Sequence, residues 1–97
     1  MDTNSLDEAL ADAFESTPTE RRVVVRQACD LADSGKAELD RGHELTVDDI
    51  VDQLGDAPDE MDLVERWNWW IGTLDIAYGG YVPFTVQATP EDPTPNR

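Results

Sequence analysis

The fold is decided by residues 58–80, which read PDEMDLVERWNWWIGTLDIAYGG. The leading Pro-Asp pair favours a helix start and the closing Gly-Gly pair favours a helix end, so the stretch predicts one long helix. Most of its apolar side chains share one broad arc at 100° per residue: Leu63, Val64, Trp67, Trp70, Ile71, Leu74 and Tyr78. Trp69 and Ile76 fall on the opposite side. We therefore expect a helix that is apolar on two sides, and central in the fold or covered by something else.

Helical periodicity also appears in three segments before this one. They cover residues 5–16, residues 17–42 with an interruption at Ser34-Gly35, and residues 47–54. Ser5, Thr17 and Thr46 are the predicted N-caps, because a side-chain oxygen at that position accepts a hydrogen bond from the first turn. At Ser34-Gly35 the second helix either kinks or restarts. The pattern thus predicts an all-α domain of three to four helices.

The C-terminal end has a different composition. Residues 81–86 are rich in β-favouring side chains but are broken by Pro83, which predicts an extended arm or an edge strand. Residues 88–97 carry three prolines and predict a disordered tail. We therefore expect a single helical domain over residues 1–87, followed by this Pro-rich tail.

The chain is strongly acidic, with 22 Asp and Glu against 7 Lys and Arg and a formal net charge of -15 over 97 residues. Asp exceeds Glu by 14 to 8, and Arg exceeds Lys by 6 to 1. In this balance the sequence resembles the small cytoplasmic proteins of extreme halophiles, since molar salt screens repulsion among carboxylates. The resemblance implies a salt-loaded cytoplasm and no particular activity. An acidic tail or a nucleic-acid mimic is the alternative, but the acids are spread along most of the chain.

Membrane and secretory locations are not expected. No run of 18 apolar residues is present, and the first ten residues have neither a basic nor an apolar section typical of a signal peptide. Cys29 is the only cysteine, which excludes an internal disulfide. The predicted location is cytoplasmic.

The charge is unevenly distributed. Residues 17–41 carry five acids and five bases, whereas residues 42–65 carry nine acids and no base. Arg21, Arg22 and Arg26 cluster at the start of the second helix. Arg22 and Arg26 are candidates for an anion or nucleic-acid contact. Pairing of the cluster with carboxylates of neighbouring helices is the interpretation that we favour, because surface Arg contacts count for little in high salt.

Catalysis and metal binding find little support. Cys29 with His43 as base would form a nucleophilic pair, but acids next to Cys29 raise a thiol pKa and oppose the thiolate. Asp48 and Asp52 share a helix face and are able to hold a hard cation weakly, but a solvated acidic face explains them with fewer assumptions. We expect no enzyme activity, no cofactor and no metal site.

One stretch resembles a helix-turn-helix. Residues 45–55, LTVDDIVDQLG, form a Thr-capped short helix that ends in Leu-Gly before a longer helix, and Gly79-Gly80-Tyr81-Val82 is similar to the exit into a wing. The resemblance to winged helix-turn-helix proteins covers residues 45–82. It implies a transcriptional regulator that contacts DNA phosphates through Arg22 and Arg26. The acids at Asp59, Glu60 and Asp62 depart from that pattern, since they repel phosphates.

The three tryptophans of residues 67–70 cannot all face one core. Trp67 and Trp70 suit the domain interior. Trp69 lies either under the C-terminal arm, in contact with Phe84 or Val82, or in an interface with a second copy or another protein. The two arrangements merge if the arm exchanges between subunits. For the interface we predict Trp69, Ile76, Tyr81 and Phe84. The function that we favour is a non-catalytic protein-interaction module, homodimeric through the last helix and arm.

Overall fold

The computed structural model describes residues 1–86. It contains five α-helices and one 3-10 turn: α1 Thr3–Ala13, α2 Pro18–Ser34, α3 Lys36–Arg41, α4 Val47–Gly55, α5 Leu63–Tyr78, and the turn Val82–Phe84. No strand occurs in this part of the chain. The prediction of an all-α domain is confirmed.

Three of the helices begin with a reciprocal capping box, in which the N-cap side chain and the third helical residue bind each other's backbone N–H. The pairs are Thr17 with Glu20 for α2, Thr46 with Asp49 for α4, and Asp62 with Glu65 for α5. Each box satisfies backbone donors that have no partner within the helix. The caps at Thr17 and Thr46 are therefore confirmed.

The predicted cap of α1 is wrong. The carboxylate of Asp2 accepts a hydrogen bond from the backbone N–H of Asn4 at 3.1 Å, and the hydroxyl of Ser5 donates to the same carboxylate at 2.8 Å. Ser5 thus serves as a donor inside the first turn. The helix also ends at Ala13, earlier than predicted, because Phe14 takes an extended conformation while its N–H bonds to the Leu10 carbonyl at 2.9 Å.

The predicted second helix is two helices. Gly35 has φ 74, a left-handed conformation that glycine adopts at little cost, and it ends α2 and precedes α3. Leu39, on α3, is 82% exposed.

The last helix begins later than predicted, at Leu63, because the loop before it is held in a non-helical shape. The guanidinium of Arg66 donates to three backbone carbonyls, those of Leu54 at 2.9 Å, Met61 at 3.2 Å and Asp59 at 3.3 Å. Its charged plane also lies 5.0 Å from the centre of the Phe14 ring. One side chain therefore ties the end of α4 and the loop to α5.

Helix α5 is the centre of the core. It packs against α2, α4 and the 3-10 turn, while α1 packs against α2 and α4. Trp67 and Trp70 are buried and meet edge to face, with ring centres 5.5 Å apart. Such a pair adds about 0.5–1.5 kcal/mol beyond the burial of its area. Their placement in the interior agrees with the prediction.

The C-terminal arm is not an edge strand. Residues 82–84 form the 3-10 turn, and Thr85 then returns to an extended conformation. The predicted disordered tail, residues 88–97, lies outside the described residues.

Candidate interaction surface

The four residues from Trp67 to Trp70 of α5 lie in different surroundings. Trp67 and Trp70 are buried, Asn68 is half-buried beside the C-terminal segment, and Trp69 is only partly buried on the far side. Four consecutive residues of a helix point in four directions, 100° apart, so this division follows from helix geometry.

The C-terminal segment, defined here as residues 81–86, is attached to α5 by side-chain to backbone hydrogen bonds. The indole Nε1–H of Trp67 donates to the Phe84 carbonyl at 2.8 Å. The amide of Asn68 accepts from the N–H of Val86 at 2.8 Å and donates to its carbonyl at 3.0 Å. Side chains of α5 thus satisfy backbone groups of the segment that a neighbouring strand would otherwise satisfy.

Tyr81 anchors the other end of the segment. Its side chain is fully buried, its hydroxyl donates to Asp40 at 2.8 Å, and its backbone N–H donates to the carboxylate of Asp75 at 3.0 Å. The ammonium of Lys36 lies 3.2 Å from the same Asp40 oxygen and 4.7 Å from the centre of the Tyr81 ring. The contacts of Tyr81 therefore join the C-terminal segment to both α3 and α5.

The proton affinities in this contact are shifted accordingly. The hydrogen bond from Tyr81, assisted by Lys36, holds the pKa of the Asp40 carboxyl below its ordinary value. Burial raises the pKa of the Tyr81 hydroxyl above its ordinary value of 10, and the adjacent Asp40 carboxylate adds to that effect. At neutral pH the neutral phenol thus donates to a charged carboxylate.

Of the four predicted interface residues, Ile76 faces outward and is 89% exposed. Trp69 lies on the same side of α5, two turns earlier, and is partly buried against the core. The prediction for Tyr81 is corrected, because its side chain is fully buried within the chain and belongs to the core. Phe84 is half-buried against that core.

We define the outer face of α5 by four residues in one helical stripe: Trp69, Gly72, Thr73 and Ile76. A Cβ atom placed on Gly72 would meet no other atom within 4 Å, so the middle of this face is open. The hydrogen bonds that hold the C-terminal segment come from Trp67, Asn68 and Asp75, on another flank of the helix.

The arginine cluster separates into two kinds of residue. Arg21 pairs with Asp7 at 3.1 Å and also donates to the Ser16 carbonyl at 3.0 Å, as internal pairing predicts. Arg22 and Arg26 are exposed and form no ion pair within residues 1–86. The favoured prediction of internal pairing therefore holds for Arg21 alone.

The residues weighed for catalysis lie in separate surroundings. Cys29 is partly buried, with its sulfur 3.9 Å from the Met1 carbonyl, and burial raises the pKa of its thiol. The Nδ1 atom of His43 lies 3.8 Å from the carboxylate of Asp49. Residues 1–86 hold no group of three or more metal-ligating side chains, so Asp48 and Asp52 find no third ligand there.

Sequence reasoning missed Asn68, Asp40 and Asp75, which hold the C-terminal segment. A polar residue between tryptophans in an apolar helix was the one available signal for Asn68. The sequence gives no signal for Asp40 or Asp75. Their partner Tyr81 is far from Asp40 in sequence, and the end of α5 separates it from Asp75.

None of the helices in the described part of the chain is long and apolar enough to cross a membrane.

A family model described as the WNWW domain matches residues 1–75. The four letters of that description coincide with residues 67–70 of α5. No curated protein and no solved structure matches the chain.

Proposed function

We propose that this chain, which belongs to the WNWW domain family, is a non-catalytic protein-interaction module of a salt-loaded cytoplasm. It forms a homodimer through α5 and the C-terminal segment, with the outer face of α5 at the centre. The observation that carries the proposal is the exposure of Ile76, at 89%, on the same stripe as the partly exposed Trp69. Apolar side chains grouped on an otherwise acidic surface are typical of interfaces.

The charge distribution supports self-association at this face. Residues 67–86 contain one charged side chain, Asp75, and its carboxylate accepts the Tyr81 N–H. Two copies that each carry a charge of -15 repel one another least where their acids are fewest. The four residues of the outer face of α5 are uncharged and meet that condition, and the nearest acid on the same stripe, Glu65, lies one turn before Trp69.

The spacing along α5 supports a two-fold arrangement. The midpoint between Trp69 and Ile76 falls between Gly72 and Thr73. If two α5 helices cross in opposite directions at that point, Trp69 of each copy meets Ile76 of the partner subunit, as an isologous interface requires. Gly72 has no side chain and lets the two helices approach closely.

Sedimentation equilibrium in molar KCl tests this proposal. The wild-type chain should be a dimer at micromolar concentration, and Ile76→Asp should shift it to monomer because a carboxylate would be buried without a partner. Leu39→Asp is the matched control, since Leu39 is equally exposed but lies on α3. A monomeric wild type, or equal dissociation by both variants, would show the proposal to be wrong.

Gly72→Ala separates folding from association. Alanine in a helix interior stabilises the monomer by about 0.5–1 kcal/mol relative to glycine. The same methyl group lies at the proposed crossing point and should weaken the dimer. Gly55→Ala, at the end of α4, should leave association unchanged.

The second candidate function is a winged helix-turn-helix regulator. The exposure of Arg22 and Arg26 without ion-pair partners in the described residues favours an anion contact there. A gel-shift panel in high salt, with Arg22→Ala as the control, tests it. Absence of any shift rules the regulator out.

A further inference from the structure

A second surface lies on the side of α2 that faces α1, and the dimer proposal makes no use of it. It is a groove of about 560 Å³ whose lining includes Pro18, Arg22, Val25, Arg26 and Cys29. Arg21 and Asp7, which form an ion pair, also line it. The groove is open to solvent, so a segment of another protein has access to it.

The edge of the groove is basic in a protein that is otherwise acidic. Arg22 and Arg26 are one helical turn apart on α2 and point to the same side. Among the other cations of residues 1–86, Arg21 pairs with Asp7, Lys36 with Asp40, and Arg66 donates to three carbonyls. Arg41 has no ion pair within this range either, but its Nη1 atom is buried. Acids outnumber bases by 22 to 7, so two neighbouring exposed arginines that form no ion pair within residues 1–86 are conspicuous.

The lining of the groove beneath the arginines is partly apolar. Val25 is 8% exposed and packs in the core, and Cys29 lies half-buried one turn further along α2. Asp30 is the one exposed acid at that end of the lining, next to Arg26 by helical spacing. An incoming segment would thus meet an apolar strip below and guanidinium groups at the rim.

We propose that this groove binds an acidic, amphipathic helical segment of a partner protein. Carboxylates spaced one turn apart would each accept two parallel hydrogen bonds from a guanidinium, and an apolar side chain between them would cover Val25 and Cys29. Nucleic acid fits the same groove poorly. It requires a row of cations along the phosphates, whereas two arginines stand here beside an N-terminal segment with five acids and no base.

The proposal agrees with the salt-rich setting of the proposed function. At molar salt the Debye length is about 3 Å, so attraction at long range is lost. Bidentate hydrogen bonds and apolar contact act at short range and remain. Binding should therefore weaken with salt but persist.

The test is fluorescence anisotropy with a synthetic helical peptide that carries Glu pairs at i, i+4 spacing and Leu on the adjoining face. Exchange of both arginines, Arg22→Glu with Arg26→Glu, should lower the affinity by about tenfold or more. The affinity of the Arg22→Lys, Arg26→Lys variant should lie between those of the wild type and the charge-reversed variant. Lysine keeps the charge but lacks the planar guanidinium that donates two parallel hydrogen bonds. Asp30→Asn should tighten binding of the peptide, and Leu39→Asp should leave it unchanged because Leu39 is exposed on α3, outside the groove.

Three results would overturn the proposal. The first is that the Glu peptide does not bind the wild-type chain. The second is that the charge-reversed variant, with native circular dichroism, binds the peptide as tightly as the wild type does. The third is that a DNA duplex binds the wild-type chain more tightly than the peptide does. The last result would assign the groove to nucleic acid.

Discussion

Asn68 and Val86 form a closed pair of hydrogen bonds, in which one side-chain amide satisfies both the N–H and the carbonyl of one backbone residue. The pair acts as a strand would, although residues 1–86 contain no strand. It also links α5 to a segment beyond residue 75, where the family match ends. Trp67, Asn68 and Trp70 thus contact the core and the C-terminal segment, and Trp69 lies on the opposite side of α5.

Asn68→Ala should detach the C-terminal segment from α5. Loss of two hydrogen bonds lowers the free energy of unfolding by about 1–2 kcal/mol, measured by urea denaturation. The amide of Val86 should lose its protection against hydrogen exchange. Asn4→Ala is the control, because the side chain of Asn4 is exposed at the first turn of α1. Unchanged protection at Val86 would refute the pairing.

Tyr81→Phe should remove the hydroxyl that stabilises the Asp40 carboxylate. A carboxyl whose pKa is lowered in the folded state contributes stability above its unfolded pKa and loses it as pH falls through the folded value. The difference in stability between wild type and variant should therefore be full at pH 7 and shrink below about pH 4. Thermal unfolding across that range measures it, and Tyr78→Phe should show no such narrowing.

Titration at alkaline pH tests the burial of the Tyr81 hydroxyl independently. A hydroxyl whose pKa is raised in the folded state keeps the protein stable below its unfolded pKa, and that contribution is lost as pH rises through the folded value. In a Tyr78→Phe background, ultraviolet absorbance follows Tyr81 alone. Its phenolate should appear well above pH 10. Titration at the ordinary pH would contradict the burial of the ring.

Asp62→Ala should destabilise the protein at the start of α5. The variant loses the cap of the Glu65 N–H, at 2.8 Å in the wild type, at a cost of about 1 kcal/mol. Asp59→Ala removes an equal charge from the same loop and keeps the backbone carbonyl that Arg66 uses. Denaturation of the two variants should differ. Equal stabilities would place the start of α5 elsewhere.

The acidic surface predicts a dependence on salt. Raising KCl from 0.1 M to 1 M shortens the Debye length from about 10 Å to about 3 Å and screens repulsion among carboxylates. The midpoint of thermal unfolding should rise with KCl. A midpoint that is constant or falls would count against the halophilic setting.

The helices were predictable because their signals are local. Thr17 with Glu20 and the corresponding box at Thr46 lie within one turn of the helix that they start. The C-terminal segment was not, because its shape depends on Asn68 and Asp40, and only tertiary structure brings these to it. The start of α5 depends on Arg66 and three carbonyls, one of them in α4. The same reason explains why Tyr81 was expected at a surface and lies in the core.

Sedimentation equilibrium of the wild-type chain in molar KCl, beside Ile76→Asp and Leu39→Asp, tests the central claim most directly. The account predicts a dimer for the wild type and for Leu39→Asp, and a monomer for Ile76→Asp. A wild-type chain that is monomeric at micromolar concentration would contradict it.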